Sequence, residues 1–212
     1  MKFAKEGYLP AAIPAVLGAV AWLLVGWPAG VALLVVAFLV LLFFRDPERN
    51  APGGEDSIVA PADGRVLGIH TEGNPHRLDP DACQRVSIFM SPLNVHINRT
   101  PLRATVSEVA YSSGSFRAAY SDDAAEINEA NALRLSAPSG WSIVVVQIAG
   151  WLARRIVCHV KEGDRLQRGE RFGLIMFGSR VDVYLPSTVE ITVAPGQRVR
   201  AGATVIAEVR SQ

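Results

Sequence analysis

A mostly-β sandwich or barrel-like domain behind an N-terminal helical hairpin is the fold class that this 212-residue sequence predicts. Two observations carry it. From Gly7 to Phe44 the chain contains no Asp, Glu, Lys, Arg or His, an uncharged stretch longer than the roughly 20 residues that cross a bilayer as one helix. From Ser57 onward the pattern changes to short runs rich in β-formers, bounded by Gly, Pro, Asn and Asp, which reads as successive strands. A third observation narrows the partners. Of 21 Lys and Arg and 20 Asp and Glu, only Lys2, Lys5 and Glu6 precede Arg45, so the rest of the chain is electrically balanced. A balanced domain argues against nucleic acid as the partner, because phosphate binding needs a net basic surface. The 50% hydrophobic composition excludes a disordered chain.

The apolar head is too long for a signal peptide, whose core runs about 7–15 residues. As one straight helix it would extend about 57 Å, nearly twice the roughly 30 Å hydrocarbon core. Gly26-Trp27-Pro28-Ala29-Gly30 interrupts it between Tyr8–Val25 and Val31–Phe44. Gly and Pro supply turn chemistry there, and Trp22 and Trp27 suit a membrane interface. A helical hairpin or a re-entrant pair follows, the second form kept open by a second segment of only about 14 residues. Both ends then lie on one side, with Lys2 and Lys5 before and Arg45 and Arg49 after. The positive-inside tendency makes that side cytoplasmic. Residues 1–45 are therefore expected to anchor the chain in the cell membrane, and residues 46–212 to form a β-rich domain on its cytoplasmic face. The polar, Pro- and Gly-rich run from Arg45 to Gly54 marks the exit. Cys83 and Cys158 are isolated and show neither a disulfide framework nor a zinc pattern.

Strands are expected at 57–61, 64–69, 85–90, 105–109, 132–135, 141–148, 156–160 and 181–185, each a short β-rich run between turn residues. Residues 121–131 carry acids and alanines and read as a surface helix or a loop. Near the end, Gly163-Asp164-Arg165-Leu166-Gln167-Arg168-Gly169 and Gly196-Gln197-Arg198-Val199-Arg200-Ala201-Gly202 share the pattern G-[DQ]-R-[LV]-x-x-G, each followed by an apolar strand. This resembles the hammerhead turns of biotinyl- and lipoyl-type barrel-sandwich folds. Two turns that need Gly at positive φ explain both copies. No Lys follows Lys161, so a lysine-modified carrier role is disfavoured.

The most informative stretch runs from Gly173 to Pro186, where an apolar run enters Gly178 and an alternating strand leaves Ser179. A Gly-Ser pair alone is usually a turn. Between two buried-looking segments, the glycine also lets the backbone bend so that the serine hydroxyl approaches the preceding carbonyl carbon. Asp63 in Ala-Asp-Gly-Arg reads on turn chemistry as a hairpin residue. His96 lies in an expected strand, where a lone histidine is commonly structural, and His159 is an alternative base.

Six blocks taken in order make the chain recognisable: Ala60-Pro61-Ala62-Asp63-Gly64-Arg65-Val66, the run from Phe89 to Arg99, Gly114-Ser115-Phe116, Asn128-Glu129-Ala130-Asn131, Gln147-Ile148-Ala149-Gly150 and Phe177-Gly178-Ser179-Arg180. Together they resemble the short bacterial and archaeal form of phosphatidylserine decarboxylase proenzymes. The resemblance implies self-cleavage between Gly178 and Ser179, with Ser179 becoming a covalent pyruvoyl cofactor. It implies a heterodimer of the two cleavage products and no metal. It further implies decarboxylation of phosphatidylserine to phosphatidylethanolamine at the bilayer surface. An alcohol needs a base to act as a nucleophile, and His96 with Asp63 gives an Asp-His-Ser arrangement in which the acid fixes the imidazole tautomer. Longer relatives carry a second histidine where this chain has Arg99, and often a Thr where it has Arg180. Arg99, Arg154 and Arg155 are candidates by residue type for the lipid phosphate. The competing reading is a non-enzymatic, membrane-tethered adaptor of barrel-sandwich type.

Overall fold

Two apolar segments separated by a glycine turn fold as helices in the computed structural model, which describes residues 2–71, 78, 82–117, 119–120, 124–150, 155–176 and 178–209. The chain divides into two compact units, Met1–Glu48 and Arg49–Gln212. In the first, β1 (Lys2–Phe3) precedes α1 (Tyr8–Leu24), α2 (Trp27–Phe43) and β2 (Arg45–Asp46). The second helix starts earlier than the sequence pattern suggests. Pro28 falls in its first turn, where a missing N–H costs nothing and the fixed φ suits the helix, so the connection shrinks to Val25 and Gly26, the latter at φ 120°. At 17 residues, α2 is about 25 Å long rather than the shorter segment expected. Small residues let the helices approach: a Cβ on Gly30 would stand 2.7 Å from Trp22 Cβ, and one on Gly18 would stand 3.1 Å from the Gly30 carbonyl. The open end is closed by antiparallel pairing of β1 with β2 and by Lys2–Glu48 at 2.7 Å, so the expected hairpin is observed. Leu23, Leu24 and Val25 are 84%, 81% and 77% exposed, so the hairpin tip is wholly apolar surface.

The second unit is mostly β, as expected. Its elements are β3 (Ser57–Val59), β4 (Gly64–Thr71), β5 (Ala82–Met90), β6 (Ile97–Arg99), β7 (Ala104–Ser112), α3 (Ala124–Ile127), β8 (Ala130–Ser136) and β9 (Ser142–Ile148). There follow β10 (Ile156–Cys158), β11 (Arg165–Leu166), β12 (Arg171–Ile175), β13 (Ser179–Pro186), β14 (Val189–Ile191), β15 (Arg198–Val199) and β16 (Val205–Val209). An eight-stranded sheet runs β11-β7-β8-β9-β13-β5-β4-β15, beside three-stranded sheets β10-β12-β6 and β14-β16-β3. The strand pairs are antiparallel. The main core, including Val86, Ile88, Val145, Val181 and Val183, fills one side of the large sheet, and a second cluster with Val144, Val146, Ile148 and Tyr184 covers the other. β9 and β13 are thus buried on both faces, which is why Ile143–Val146 reads as an unbroken apolar run rather than an alternating one.

The two G-[DQ]-R-[LV]-x-x-G copies adopt equivalent structures. Gly163, Gly169, Gly196 and Gly202 all have positive φ, from 65° to 90°. Gly163 donates to Val106, and Gly196 donates to Val66, each at 2.8 Å. The copies meet where a Cβ on Gly202 would lie 3.3 Å from Gly169 Cα. The expected helix or loop at 121–131 becomes the short α3 followed directly by β8, its first residues lying outside the described set.

Candidate active site

Ser179 opens β13 in the centre of the large sheet, paired with Met90 of β5, and is fully buried. Its hydroxyl donates to Met90 Sδ at 3.5 Å. The same sulfur faces Asn98 Nδ2 at 3.8 Å, Asn98 Oδ1 accepts from Gln147 Nε2 at 2.8 Å, and Gln147 Oε1 accepts from Asn131 Nδ2 at 3.0 Å. This chain of buried amides joins β8 and β9 of the large sheet to β6 of a neighbouring sheet beneath Ser179. Leaving such an amide unpaired in the interior costs about 1–3 kcal/mol, so the four side chains hold one another in place. Gly178 is left-handed at φ 64°, a conformation open to glycine at little cost. That turn breaks the run from β12 into β13 at the peptide bond singled out from the sequence.

His96 is 2% exposed. Its main-chain carbonyl accepts from Ile175 N at 3.3 Å, which ties it to the end of β12, the strand leading to Gly178. Its Nδ1 lies 2.9 Å from the Asn94 carbonyl oxygen. A carbonyl only accepts, so Nδ1 carries the proton and Nε2 is the basic nitrogen of the neutral ring. Asn94 is itself fixed by a turn in which Ser91 N and Oγ both donate to its Oδ1, at 2.8 and 2.9 Å.

The expected Asp63–His96 hydrogen bond is not formed. Arg49 grips Asp63 as a fork, with Nη2 to Oδ2 at 2.8 Å and Nη1 on Oδ1, and Ala201 N donates to Oδ1 at 2.8 Å. A bidentate, charge-assisted pair is among the strongest partners a carboxylate finds, and it engages both Asp63 oxygens. Arg49 also donates to the Ala201 carbonyl at 2.8 Å, so Asp63 stitches the start of the domain to the second G-x-R turn.

The arginine candidates separate. Arg99 is 4% exposed and donates to the Gly169 carbonyl at 2.9 Å, so it is built into the junction of the paired turns. Arg155 is exposed, and its carbonyl accepts from Met176 N at 3.1 Å, two residues before Gly178. Arg154 lies outside the described residues. His159, the alternative base, is exposed. Among the described residues no cluster of His, Cys, Asp and Glu suits a metal ion. Met90, Asn98 and Gln147 were not singled out from the sequence as site residues. Their blocks are visible there, but only the folded chain shows that they form a relay, with Gln147 bonded to Asn98, Asn98 to Met90 and Met90 to Ser179.

The family model described as phosphatidylserine decarboxylase matches residues 36–207. A phosphatidylserine decarboxylase proenzyme of Gluconobacter oxydans is 52% identical over 170 residues, covering 79% of this chain and 76% of the relative. Proenzymes of the same name from Magnetococcus marinus and Geobacter sulfurreducens are 43% and 44% identical, covering 99% and 96% of this chain and 96% and 94% of the relatives. These matches set aside the adaptor reading. With Ser179 buried behind the left-handed Gly178 and the six blocks in order along the sequence, the chain belongs to the phosphatidylserine decarboxylase family.

Proposed function

We propose that this chain is the precursor of a pyruvoyl-dependent enzyme that cuts itself between Gly178 and Ser179. The mature enzyme then decarboxylates phosphatidylserine to phosphatidylethanolamine at a membrane surface. The observation that carries this reading is the left-handed Gly178 immediately before a buried serine at the head of a central strand. In the first step Ser179 Oγ bonds to the Gly178 carbonyl carbon, the C–N bond breaks, and the hydroxyl proton passes to the Ser179 nitrogen through His96. Loss of the Ser179 Cα proton then breaks the Cβ–Oγ bond and leaves Oγ on the new Gly178 carboxylate. Hydrolysis of the resulting enamine releases ammonia and leaves a ketone at residue 179. A buried imidazole with Nδ1–H anchored on the Asn94 carbonyl is suited to both proton transfers.

The site fits that group: Ser179 heads a strand flanked on both sides, and its side-chain neighbour, Met90 Sδ, is uncharged and is held by the Asn98 and Gln147 amides. The pyruvoyl ketone supplies an electrophile for the substrate amine and a sink for the electrons released with carbon dioxide. His96 returns a proton to the substrate carbon, and Arg155, exposed and bonded through its carbonyl to Met176, two residues before Gly178, is a cation for the lipid phosphate among the described candidates. The apolar hairpin holds the domain beside its substrate, which raises effective concentration over a freely diffusing enzyme. Lys2, Lys5, Arg45 and Arg49 at its ends favour the cytoplasmic side.

Denaturing electrophoresis with intact-mass measurement tests the reading. Two chains, 1–178 and 179–212, are expected, the smaller lacking a free amino terminus. A folded protein that keeps its intact 22.8 kDa mass would remove the reading.

A further inference from the structure

Gly150 stands across the sheet from Gly178. The β9–β13 ladder pairs Ile148 with Arg180, and two more steps of that register place Gly150 opposite the residue that carries the scissile carbonyl. In a regular antiparallel pair, opposed side chains sit about 4.5–5.5 Å apart without collision. Here the left-handed Gly178 turns its carbonyl out of the ladder. A Cβ on Gly150 would overlap the Gly178 carbonyl oxygen outright and stand 2.7 Å from its carbonyl carbon. The two glycines answer different demands. Around a Cβ on Gly178 there is open space, and its positive φ is what calls for glycine. Gly150 is not among the positive-φ glycines, so at that position the requirement is room alone.

The segment carrying Gly150 is held in place. Asn128, 3% exposed, donates Nδ2 to the Ala149 carbonyl at 2.9 Å and to the Arg117 carbonyl at 2.8 Å, and its Oδ1 accepts from Arg117 N at 2.8 Å. Ala149 N donates to the Glu129 carbonyl at 2.9 Å. Ala119 Cβ stands 3.5 Å from the position a Gly150 Cβ would take. Three of the six blocks are thus linked in series, Asn128 to Ala149 and the adjoining Gly150 to the Gly178 carbonyl.

We propose that Gly150 is a positioning residue for self-cleavage: its missing side chain forms the seat for the scissile Gly178 carbonyl, and Asn128 sets the height of that seat through Ala149. The inference rests on the self-cleavage reading and deepens it. Gly150 moves no proton and touches no leaving group. It fixes where the carbonyl carbon stands when Ser179 Oγ approaches. A methyl group there displaces the carbonyl by about an ångström, and a misplacement of that size costs about a hundredfold in rate.

Full-length protein made by cell-free synthesis in detergent allows cleavage to be timed by electrophoresis and intact mass. Gly150→Ala is expected to lengthen the cleavage half-time about a hundredfold. Gly150→Ala combined with Ser179→Ala is expected to melt below Ser179→Ala alone, because the methyl group meets backbone, yet still in one cooperative transition, both being uncut. Cleavage of Gly150→Ala within about threefold of the wild-type rate would overturn the inference, since near-equal rates mean no lost transition-state positioning. If the methyl group prevents folding, Asn128→Ala decides, because it releases the Ala149 carbonyl without adding atoms. Slowed cleavage with a preserved cooperative melt in the Ser179→Ala background supports the seat, and wild-type cleavage overturns it. An uncut wild-type chain would instead overturn the self-cleavage reading itself, whereas a cut wild type with a fast-cutting Gly150→Ala removes only Gly150.

Discussion

Arg180 and Asp182, two residues apart on the same face of β13, form a fully buried bidentate ion pair, with Nε–Oδ1 at 2.6 Å and Nη2–Oδ2 at 2.7 Å. Arg180 Nη2 also donates to Ser87 Oγ on β5 at 3.0 Å, and the two residues are 2% and 0% exposed. This pair faces away from Ser179, because successive strand residues alternate. On the proposed cleavage, Arg180 becomes the second residue of the small chain. The Arg180–Ser87 bond then pins the new end to β5 without any covalent link.

Asp182→Ala leaves a guanidinium buried without its counter-charge, and removing one partner of such a pair costs about 3–5 kcal/mol. The double variant Arg180→Met with Asp182→Leu is expected to cost less than either single change, since it removes both charges and keeps the volume filled. Denaturant unfolding in the uncleaved Ser179→Ala background measures all three. Additive losses would show that the two charges are already solvated in the folded chain.

His96→Ala removes the proposed base while Asn94, Ser91 and the Ile175 bond to the 96 carbonyl are retained. General-base catalysis contributes about 10²–10⁴-fold, so cleavage is expected to slow by that order; the lost buried ring also lowers the melting temperature, and a retained cooperative melt shows that the fold is kept. Cleavage at the wild-type rate would assign proton transfer elsewhere, with the exposed His159 as the first substitution to try.

Asp63→Asn separates positioning of the domain from chemistry. Its carboxylate is spent on Arg49 and the Ala201 amide, so the variant is expected to lose stability through the broken fork while its cleavage rate stays within a few-fold of wild type. A cleavage defect as large as that of His96→Ala, with an unchanged melting temperature, would restore Asp63 to the proton relay that the sequence suggests.

That contrast shows where a sequence stops being legible. The run Ile143–Val146 announces a doubly buried strand by composition, and the apolar head announces its hairpin by length and a Gly-Pro interruption. The paired G-x-R turns are readable because four glycines at fixed spacing must all adopt positive φ. The short strands β6, β11, β14 and β15 carry too few residues to show alternation. The partner of Asp63 is illegible for a different reason: Arg49 sits 14 residues earlier in the polar run after the apolar head, and nothing in the spacing sets Arg49 above His96 as a partner. Gly150 is invisible for a third reason. Its need is for space opposite a turned-out carbonyl, and space is a property of the register between β9 and β13 rather than of any local motif.

Tyr184 supplies a pH test of the same central strand. It is fully buried, and its phenol is pushed up to about 12 first by burial and then by the Asp182 carboxylate; the Arg85 and Arg180 guanidinium groups oppose the shift without cancelling it. Below about pH 10 the phenol is protonated in both folded and unfolded chains, and its contribution to stability is fully present. Above that, the unfolded chain releases its proton while the folded chain keeps it, so the unfolded state binds fewer protons and stability falls as pH rises. The loss is complete once pH passes the folded value near 12. The rise of the phenol from its ordinary value near 10 to about 12 corresponds to about 3 kcal/mol. Tyr184→Phe has no proton to lose, so the difference in unfolding free energy between it and the parent, both in the Ser179→Ala background, is expected to drift by that order between about pH 9 and pH 12. Parallel curves over this range would mean that the phenol ionises as readily inside the sheet as in the unfolded chain, and that the face of β13 shared by Arg180, Asp182 and Tyr184 is open to water.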